Sequence, residues 1–301
     1  MIRALVALAA GLFMAQAGGA SAQTTALRPV VRQAVDQWMA GDPGGKTKLV
    51  GLAVKGDADA QFVVGGALFA GANGFPVDRA KACRFWRQAV PARADAAHLD
   101  AECVERGYDG SNPDLSRARD LYAAAARRGS AKSKCALGNL LIAGKGGPAD
   151  APRGVALCRE GAEAGDPDAQ ADLGDFYLLG RNVPRDIGEA RAWYEKAAAQ
   201  GQKNASLTLG QIYWNGDGVA KDNVKAAILW RRAYAKGRLD AAPLLGDEAF
   251  VRATASKDRV DQRALDEAIE WYEKAIAQDP AMTASLSGKL DLLRKMKTSQ
   301  P

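Results

Sequence analysis

The chain has 301 residues, a length that by itself suggests two globular domains. Lysine and arginine number 41 against 35 aspartate and glutamate, which gives a formal net charge of +6. Because these charges are spread through the chain and form no basic block, they argue against nucleic-acid binding and permit attraction to anionic polymers.

Residues 1–22 have the pattern of a secretory signal. Arg3 precedes an apolar run over residues 4–14, and Ala20-Ser21-Ala22 forms a small-residue cleavage pattern before Gln23. That run is too short to cross a bilayer, and no later apolar run is long enough for a membrane helix. We therefore expect cleavage near Ala22 and a periplasmic or secreted mature chain without a transmembrane segment.

Residues 23–55 predict a degenerate helical segment that caps the N-terminal end. Helices are expected around residues 30–40 and 48–55, with a break at residues 41–45. Residues 40–47, AGDPGGKT, match the loosest form of a phosphate-binding loop, which requires a strand before it. A helical pattern precedes this stretch instead, so it is interpreted as a turn.

Residues 165–237 contain the same pattern twice, each copy 36 residues long from glycine to glycine. In the first copy Ala169, Leu173 and Tyr177 recur at steps of four, which predicts one stripe of a helix. Gly180 ends that helix, and Asp186 is placed to cap the next. Such a period indicates stacked helical hairpins, so it overrides the expectation of two globular domains.

A glycine lies in the middle of the first helix in four successive copies: Gly138, Gly174, Gly210 and Gly246. Glycine there costs roughly 0.5–1 kcal/mol relative to alanine. A leucine precedes each one, so packing is expected to offset this cost. The simplest explanation is that a neighbouring helix backbone passes too close for a side chain.

These positions carry a resemblance to a known family. Both copies resemble the Sel-one-like repeat, a relative of the tetratricopeptide repeat. The positions that carry the resemblance are Ala169, Leu173-Gly174, Tyr177, Gly180, Asp186, Ala190, Trp193-Tyr194 and Ala197 in the first copy, and the stretch from Leu209-Gly210 to Trp230 in the second. The resemblance implies an exported bacterial member of this family. Its implied fold is all-α, a right-handed α-solenoid of stacked antiparallel helix pairs with a concave binding surface. Repeats are expected near 56–92, 93–128, 129–164, 165–200, 201–236 and 237–280, and residues 281–301 predict a C-terminal capping helix.

Four cysteines in an exported chain make disulfides plausible. The preferred pairs are Cys83 with Cys103 and Cys135 with Cys158, because each joins two helices expected to be neighbours. Four buried free thiols remain the alternative.

No catalytic, cofactor-binding or metal-binding residue set emerges from the sequence. His98 is the only histidine, so neither the usual triad nor a zinc site is expected, and it is interpreted as a surface or packing residue. A cysteine-rich branch of the family has been linked to β-lactam binding or hydrolysis. Here no cysteines are 36 residues apart and no Ser-x-x-Lys occurs, so a β-lactamase-like or cell-wall hydrolase is the least favoured hypothesis.

A polar residue follows each of the four helical glycines: Asn139, Asp175, Gln211 and Asp247. In the related tetratricopeptide repeats this part of the first helix lines the groove, and Trp214 is expected to project the same way. The alternative is that these are ordinary solvated positions. The first hypothesis is thus a non-enzymatic scaffold that binds another protein in the envelope; the second is a protein that holds an anionic cell-wall polymer or exopolysaccharide.

Overall fold

The computed structural model describes residues 26–256 and 260–298. Within these residues the chain forms fifteen α-helices and one short 3-10 turn, and no β-strand. The all-α prediction is confirmed, and the helices follow one another as stacked hairpin pairs of the solenoid type. The predicted signal, residues 1–22, lies outside the described residues, as do residues 257–259 of the final repeat.

The chain divides into two compact units, one up to Leu173 and one from Gly174 onwards. The first contains α1 (Pro29–Met39), α2 (Pro43–Val54), α3 (Ala58–Ala70), α4 (Arg79–Ala89), α5 (Ala94–Arg106), α6 (Leu115–Arg127), α7 (Ala131–Ile142) and α8 (Ala151–Glu163), and the division falls inside α9 (Pro167–Leu179). Each helix from α1 to α7 packs against the one that follows it.

The second unit continues with α10 (Ile187–Ala199), α11 (Lys203–Asn215), α12 (Asn223–Ala235), α13 (Ala241–Ala253), α14 (Gln262–Gln278), the 3-10 turn Pro280–Met282 and α15 (Thr283–Thr298). Here too, each helix from α10 to α14 packs against its successor. Short connections between packed neighbours make each pair a helical hairpin.

A break separates α1 from α2 as predicted, but it is shorter than the predicted residues 41–45, because α2 already begins at Pro43. Proline suits the first helical position, where its missing N–H is not needed. Asp42 supplies the cap, since its side chain accepts a hydrogen bond from the Gly44 N–H at 2.8 Å. The strand that a phosphate-binding loop requires does not precede this turn, because α1 does.

Aspartates spaced 36 residues apart begin the second helix of five successive pairs. In each case the carboxylate accepts a hydrogen bond from the N–H three residues on, and one such cap contributes about 1 kcal/mol. The caps are Asp78 with Lys81 N (2.9 Å), Asp114 with Arg117 N (2.9 Å), Asp150 with Arg153 N (3.1 Å), Asp186 with Glu189 N (3.0 Å) and Asp222 with Lys225 N (2.8 Å).

In the second unit the helical glycines face aromatic rings, not main chain. A Cβ built on Gly210 would lie 2.5 Å from Nε1 of Trp230, too close for any real contact. The same holds for Gly174 against Cε1 of Tyr194 at 2.8 Å and Gly246 against Cε1 of Tyr272 at 2.5 Å. All three rings are buried, so each glycine leaves the space that a large core side chain fills.

Only one of the four glycines matches the expected main-chain neighbour. A Cβ on Gly138 would lie 2.5 Å from the carbonyl oxygen of Gly154 in α8. No aromatic side chain stands at the equivalent place in that helix, where Cys158 lies instead. The explanation by a close backbone is therefore right for Gly138 and wrong for the other three.

Candidate partner-binding site

In the first unit, the polar residue after the helical glycine is Asn139. Its side chain is exposed, and its Nδ2 donates a hydrogen bond to Oδ2 of Asp172 at 2.7 Å. Two turns nearer the start of α7, Lys132 forms an ion pair with Asp168 at 3.1 Å. Both pairs join α7 to α9, so this face presents amide and charged groups that are already partnered within the unit.

In the second unit, two of the polar residues hold the buried rings in place. Asp175 follows Gly174 and accepts a hydrogen bond from the Tyr194 hydroxyl. Asp247 follows Gly246 and accepts one from the Tyr272 hydroxyl at 2.5 Å. These carboxylates are therefore structural as well as solvent-facing, a double role that the sequence analysis missed.

Gln211 occupies the same position opposite a tryptophan, and there the hydrogen-bond pattern changes. The Trp230 Nε1 donates to the carbonyl oxygen of Leu207 at 3.1 Å, so the ring needs no side-chain acceptor. Gln211 Nε2 donates instead to Asn215 Oδ1 at 3.0 Å, along its own helix. Aspartate thus accompanies tyrosine and glutamine accompanies tryptophan, a correlation that was visible in the sequence.

Asp247 also contacts the last helix. Lys289 Nζ in α15 donates to its Oδ1 at 2.5 Å, which forms an ion pair between two half-exposed groups. Burial, and the hydrogen bond and charge of Asp247, raise the pKa of the Tyr272 hydroxyl. The hydroxyl therefore stays protonated and continues to donate at any physiological pH.

Trp214 follows the buried Tyr213 near the end of α11, and its own side chain is half-buried. Its ring centroid lies 5.6 Å from that of the buried Trp230, and Lys221 Nζ lies 4.9 Å from its centroid. These contacts restrict the ring while leaving part of it accessible. A restricted, partly exposed tryptophan is the kind of residue that often anchors a partner.

His98 and Ser133 form a pair that resembles part of a catalytic dyad. His98 Nδ1 lies 3.0 Å from Ser133 Oγ, and Ser133 Oγ accepts a hydrogen bond from the Ser130 hydroxyl at 2.9 Å. However, Ser133 is 0% and His98 8% exposed, so no substrate can reach the hydroxyl. Burial, with a smaller effect of the Lys132 charge, lowers the pKa of His98 to about 3, and the pair acts as neutral packing between α5 and α7.

The structure joins Cys83 to Cys103 and Cys135 to Cys158 by disulfide bonds. The first bond connects α4 to α5, and the second connects the two helices of the α7–α8 hairpin. Among the described residues no three His, Cys, Asp or Glu side chains converge to hold a metal ion. None of the described helices has the length and apolar character that crossing a bilayer requires.

Helix pairs repeated at a fixed period, most of them closed by a glycine against a neighbouring side chain or carbonyl, define an α-solenoid repeat protein. The Sel1 repeat pattern matches residues 58–90, 94–130, 131–166, 167–202, 205–237 and 260–280, more than half of the chain. The chain belongs to the Sel1 repeat family. Proteins of this family are generally non-catalytic scaffolds that mediate protein interactions.

Solved structures similar to this chain include two that match over most of its length. One is a Sel1 repeat protein from Oxalobacter formigenes, with a TM-score of 0.66 and 23% identity over 83% of this chain and 100% of that one. The other is c5321, a protective antigen present in uropathogenic Escherichia coli strains and displaying an SLR fold, with a TM-score of 0.55 and 25% identity. It is matched over 83% of this chain and 53% of its own length, so this chain spans about half of it. Comparison with curated proteins gives no match.

Proposed function

We propose that this chain is an exported scaffold, periplasmic or secreted, that binds another protein of the cell envelope. The contact surface in the second unit comprises Asp175, Gln211, Trp214 and Asp247. Asn139 is a separate contact position in the first unit. The observation that carries the proposal is Trp214, a partly exposed tryptophan held by Trp230 and Lys221 next to solvent-facing polar side chains. The scaffold role of the chain follows from its family, whereas its export and the identity of the contact surface are our proposal.

Trp214 is also the residue with which to test the surface. Replacing Asp175 or Asp247 would remove the acceptor of a buried tyrosine hydroxyl, so loss of binding would be confounded by loss of packing. Trp214→Ala removes an accessible ring, and Gln211→Ala removes a side chain bonded only along its own helix. We expect both variants to fold and Trp214→Ala to bind the partner at least about tenfold more weakly.

Trp271→Ala is the matched control. Trp271 in α14 is likewise half-buried and lies under Lys274, whose Nζ is 4.4 Å from its ring centroid, but it belongs to a second helix of a pair. Proteins of an envelope fraction would be captured on the mature chain, cross-linked and identified, and then retested as purified components. Equal binding by the wild type, Trp214→Ala and Trp271→Ala would exclude the proposed surface.

The excess of basic residues favours a second candidate, a protein that holds an anionic cell-wall polymer. Binding driven by spread surface charge weakens as salt screens it, whereas a contact centred on Trp214 depends less on salt. Sedimentation with purified peptidoglycan at increasing salt therefore separates the two. Polymer binding that is lost at high salt, together with no captured protein, would favour the second candidate.

A further inference from the structure

A cavity of about 670 Å³ opens in the second unit, and its wall includes Lys221, which also contacts the Trp214 ring. It is lined by Arg191 of α10, Tyr213 of α11, Asn223 at the start of α12 and the connecting residues 219–222. Its volume lies in the range of cavities that bind small molecules or a few side chains of a peptide.

Two polar atoms on the wall of this cavity are buried and have no hydrogen-bond partner: Arg191 Nε and Asn223 Oδ1. The Arg191 Nε lies 3.8 Å from Glu195 Oε1, close enough for an ion pair and too far for a hydrogen bond. Buried polar groups are nearly always partnered in folded proteins, so two such atoms in one cavity indicate a place for a polar ligand.

The first unit contains an arginine equivalent to Arg191 that does form a hydrogen bond. Arg119 stands 72 residues before Arg191, at the same place in an earlier repeat. Its Nη1 donates to the carbonyl oxygen of Pro148 at 2.9 Å, in the connection that follows α7. The residue equivalent to Pro148 is Ala220, which lines the cavity. In the second unit the Nε of Arg191 has no hydrogen-bond partner among the described residues, although Arg191 and Ala220 line the same cavity.

The remaining charged groups favour a negatively charged ligand. Glu195 accepts a hydrogen bond from the Tyr213 hydroxyl at 2.8 Å, and that hydroxyl accepts one from Lys225 Nζ at 2.6 Å. The Asp222 carboxylate caps α12 through the Lys225 N–H. Among the lining residues, Arg191 and the exposed Lys221 are positive and Asp222 is negative, and Glu195 lies 3.8 Å from Arg191 Nε. Because both acids also accept hydrogen bonds within the protein, the lining keeps an excess of positive charge.

Two exposed apolar side chains follow Asn223, a lining residue of this cavity, along α12. Val224 follows Asn223 directly and is 68% exposed, and Ile228 one turn further along α12 is 45% exposed. A peptide offers both carboxylates and apolar side chains, whereas an acidic polysaccharide offers no apolar side chain. This combination favours a peptide.

We propose that the cavity binds an acidic peptide segment of the partner protein. One ligand carboxylate pairs with Arg191, a ligand N–H donates to Asn223 Oδ1, and a neighbouring apolar side chain covers Val224 and Ile228. This inference rests on the proposed scaffold function, because it gives the chemistry of the partner's segment.

The test uses a fluorescent peptide of alternating glutamate and leucine, with a glutamine and leucine peptide as the neutral counterpart. Fluorescence anisotropy with the mature chain should show binding of the acidic peptide only. Arg191→Gln should weaken this binding about tenfold or more, because a charge-assisted hydrogen bond is lost. The matched variant Arg119→Gln removes the equivalent arginine of the first unit and should leave the affinity unchanged. Circular dichroism verifies that both variants remain folded.

Three results would overturn the inference: equal binding of the neutral peptide, equal weakening by Arg119→Gln and Arg191→Gln, or stronger binding of an oligogalacturonate than of the acidic peptide. Capture of an envelope protein that is insensitive to Arg191→Gln would reject the cavity and leave the scaffold function standing. Conversely, acidic-peptide binding lost in Arg191→Gln, with no envelope protein captured, would support the cavity and reject the proposed function.

Discussion

Single residues determine how closely the helices of a pair approach. The ring on the second helix occupies the space that a side chain at the helical glycine would need. Where that ring is a tyrosine, the residue after the glycine accepts a hydrogen bond from its hydroxyl. Where the ring is Trp230, a backbone carbonyl accepts instead and the polar position is free to be Gln211. Replacing a glycine should therefore have opposite effects depending on whether a ring faces it.

Gly210→Ala and Gly288→Ala form a matched pair that tests this. A Cβ on Gly210 would lie 2.5 Å from the buried Trp230 ring, whereas one on the exposed Gly288 of α15 meets nothing within 4 Å. We expect Gly210→Ala to lower the free energy of unfolding by about 1–3 kcal/mol through overpacking. Gly288→Ala should raise it by roughly 0.5–1 kcal/mol, because alanine favours the helix. Urea denaturation of both variants measures the difference, and a stabilised Gly210→Ala would refute this account.

A second prediction at this scale concerns the single histidine. Burial lowers the pKa of His98 from 6.5 to about 3, so the folded chain keeps it neutral while the unfolded chain takes up a proton below pH 6.5. Stability contributed by neutral His98 is therefore lost as pH falls from 6.5 towards 3. Once the unfolded chain is protonated, the loss approaches about 1.4 kcal/mol per pH unit.

The measurement compares urea denaturation of the wild type and His98→Gln between pH 7 and pH 5. Glutamine does not titrate, so the variant should lose much less stability over this interval, even if it starts lower. Most carboxylates titrate below the interval and contribute little to either slope. Parallel slopes would show that His98 can be protonated within the folded chain.

The limits of sequence reasoning are clearest at particular residues. Asp186 was predicted as a cap because a cap depends on local spacing alone, and its carboxylate accepts the expected backbone hydrogen bond. The neighbours of the helical glycines and the cavity beside Arg191 depend on which side chains meet across helices. A single sequence does not specify such contacts, although the pairing of tyrosine with aspartate carried part of the information.

At the scale of whole helices, the two disulfides connect neighbours that already pack together. Cys83–Cys103 links α4 to α5, and Cys135–Cys158 closes the α7–α8 hairpin where Gly138 and Gly154 bring the backbones close. Their main effect is expected on the unfolded chain, because each bond closes a loop of moderate length and lowers its conformational entropy.

We predict that non-reducing peptide mass mapping will recover these two pairs from the exported protein. Replacing both cysteines of one pair by alanine should lower the free energy of unfolding by about 2–4 kcal/mol. Reduction of the wild type provides the control and should approach the variant with both pairs removed. Free thiols in the native protein, or a different pairing, would contradict the prediction.

At the scale of the whole molecule, the cellular location of the protein determines which partners it can bind. Fold class, period and family could be inferred from the sequence because the 36-residue pattern recurs with little change from residue 165 to residue 237. The partner could not be inferred from the sequence, because a binding surface is complementary to another molecule whose sequence is not part of this chain.

The last prediction concerns export of the protein from the cytoplasm. Expressed from its full sequence in a bacterium, the chain should be recovered from the periplasm or medium with Gln23 as its first residue. N-terminal sequencing or intact mass measures this. Ala22→Pro should prevent cleavage, because proline does not fit the extended cleavage site, whereas Gln23→Ser should be processed normally. Recovery of the uncleaved wild type from the cytoplasm would exclude both the export and the envelope partner.

The constant interval between the capping aspartates has a consequence for the gene. A crossover that joins the codon of one such aspartate to that of another removes or adds whole hairpins and leaves every remaining second helix with its own start signal. Duplication and loss can therefore change the length of the protein in steps without first destroying its fold. Divergence of residues such as Arg119 and Arg191 can then assign copies of one ancestral position to different tasks.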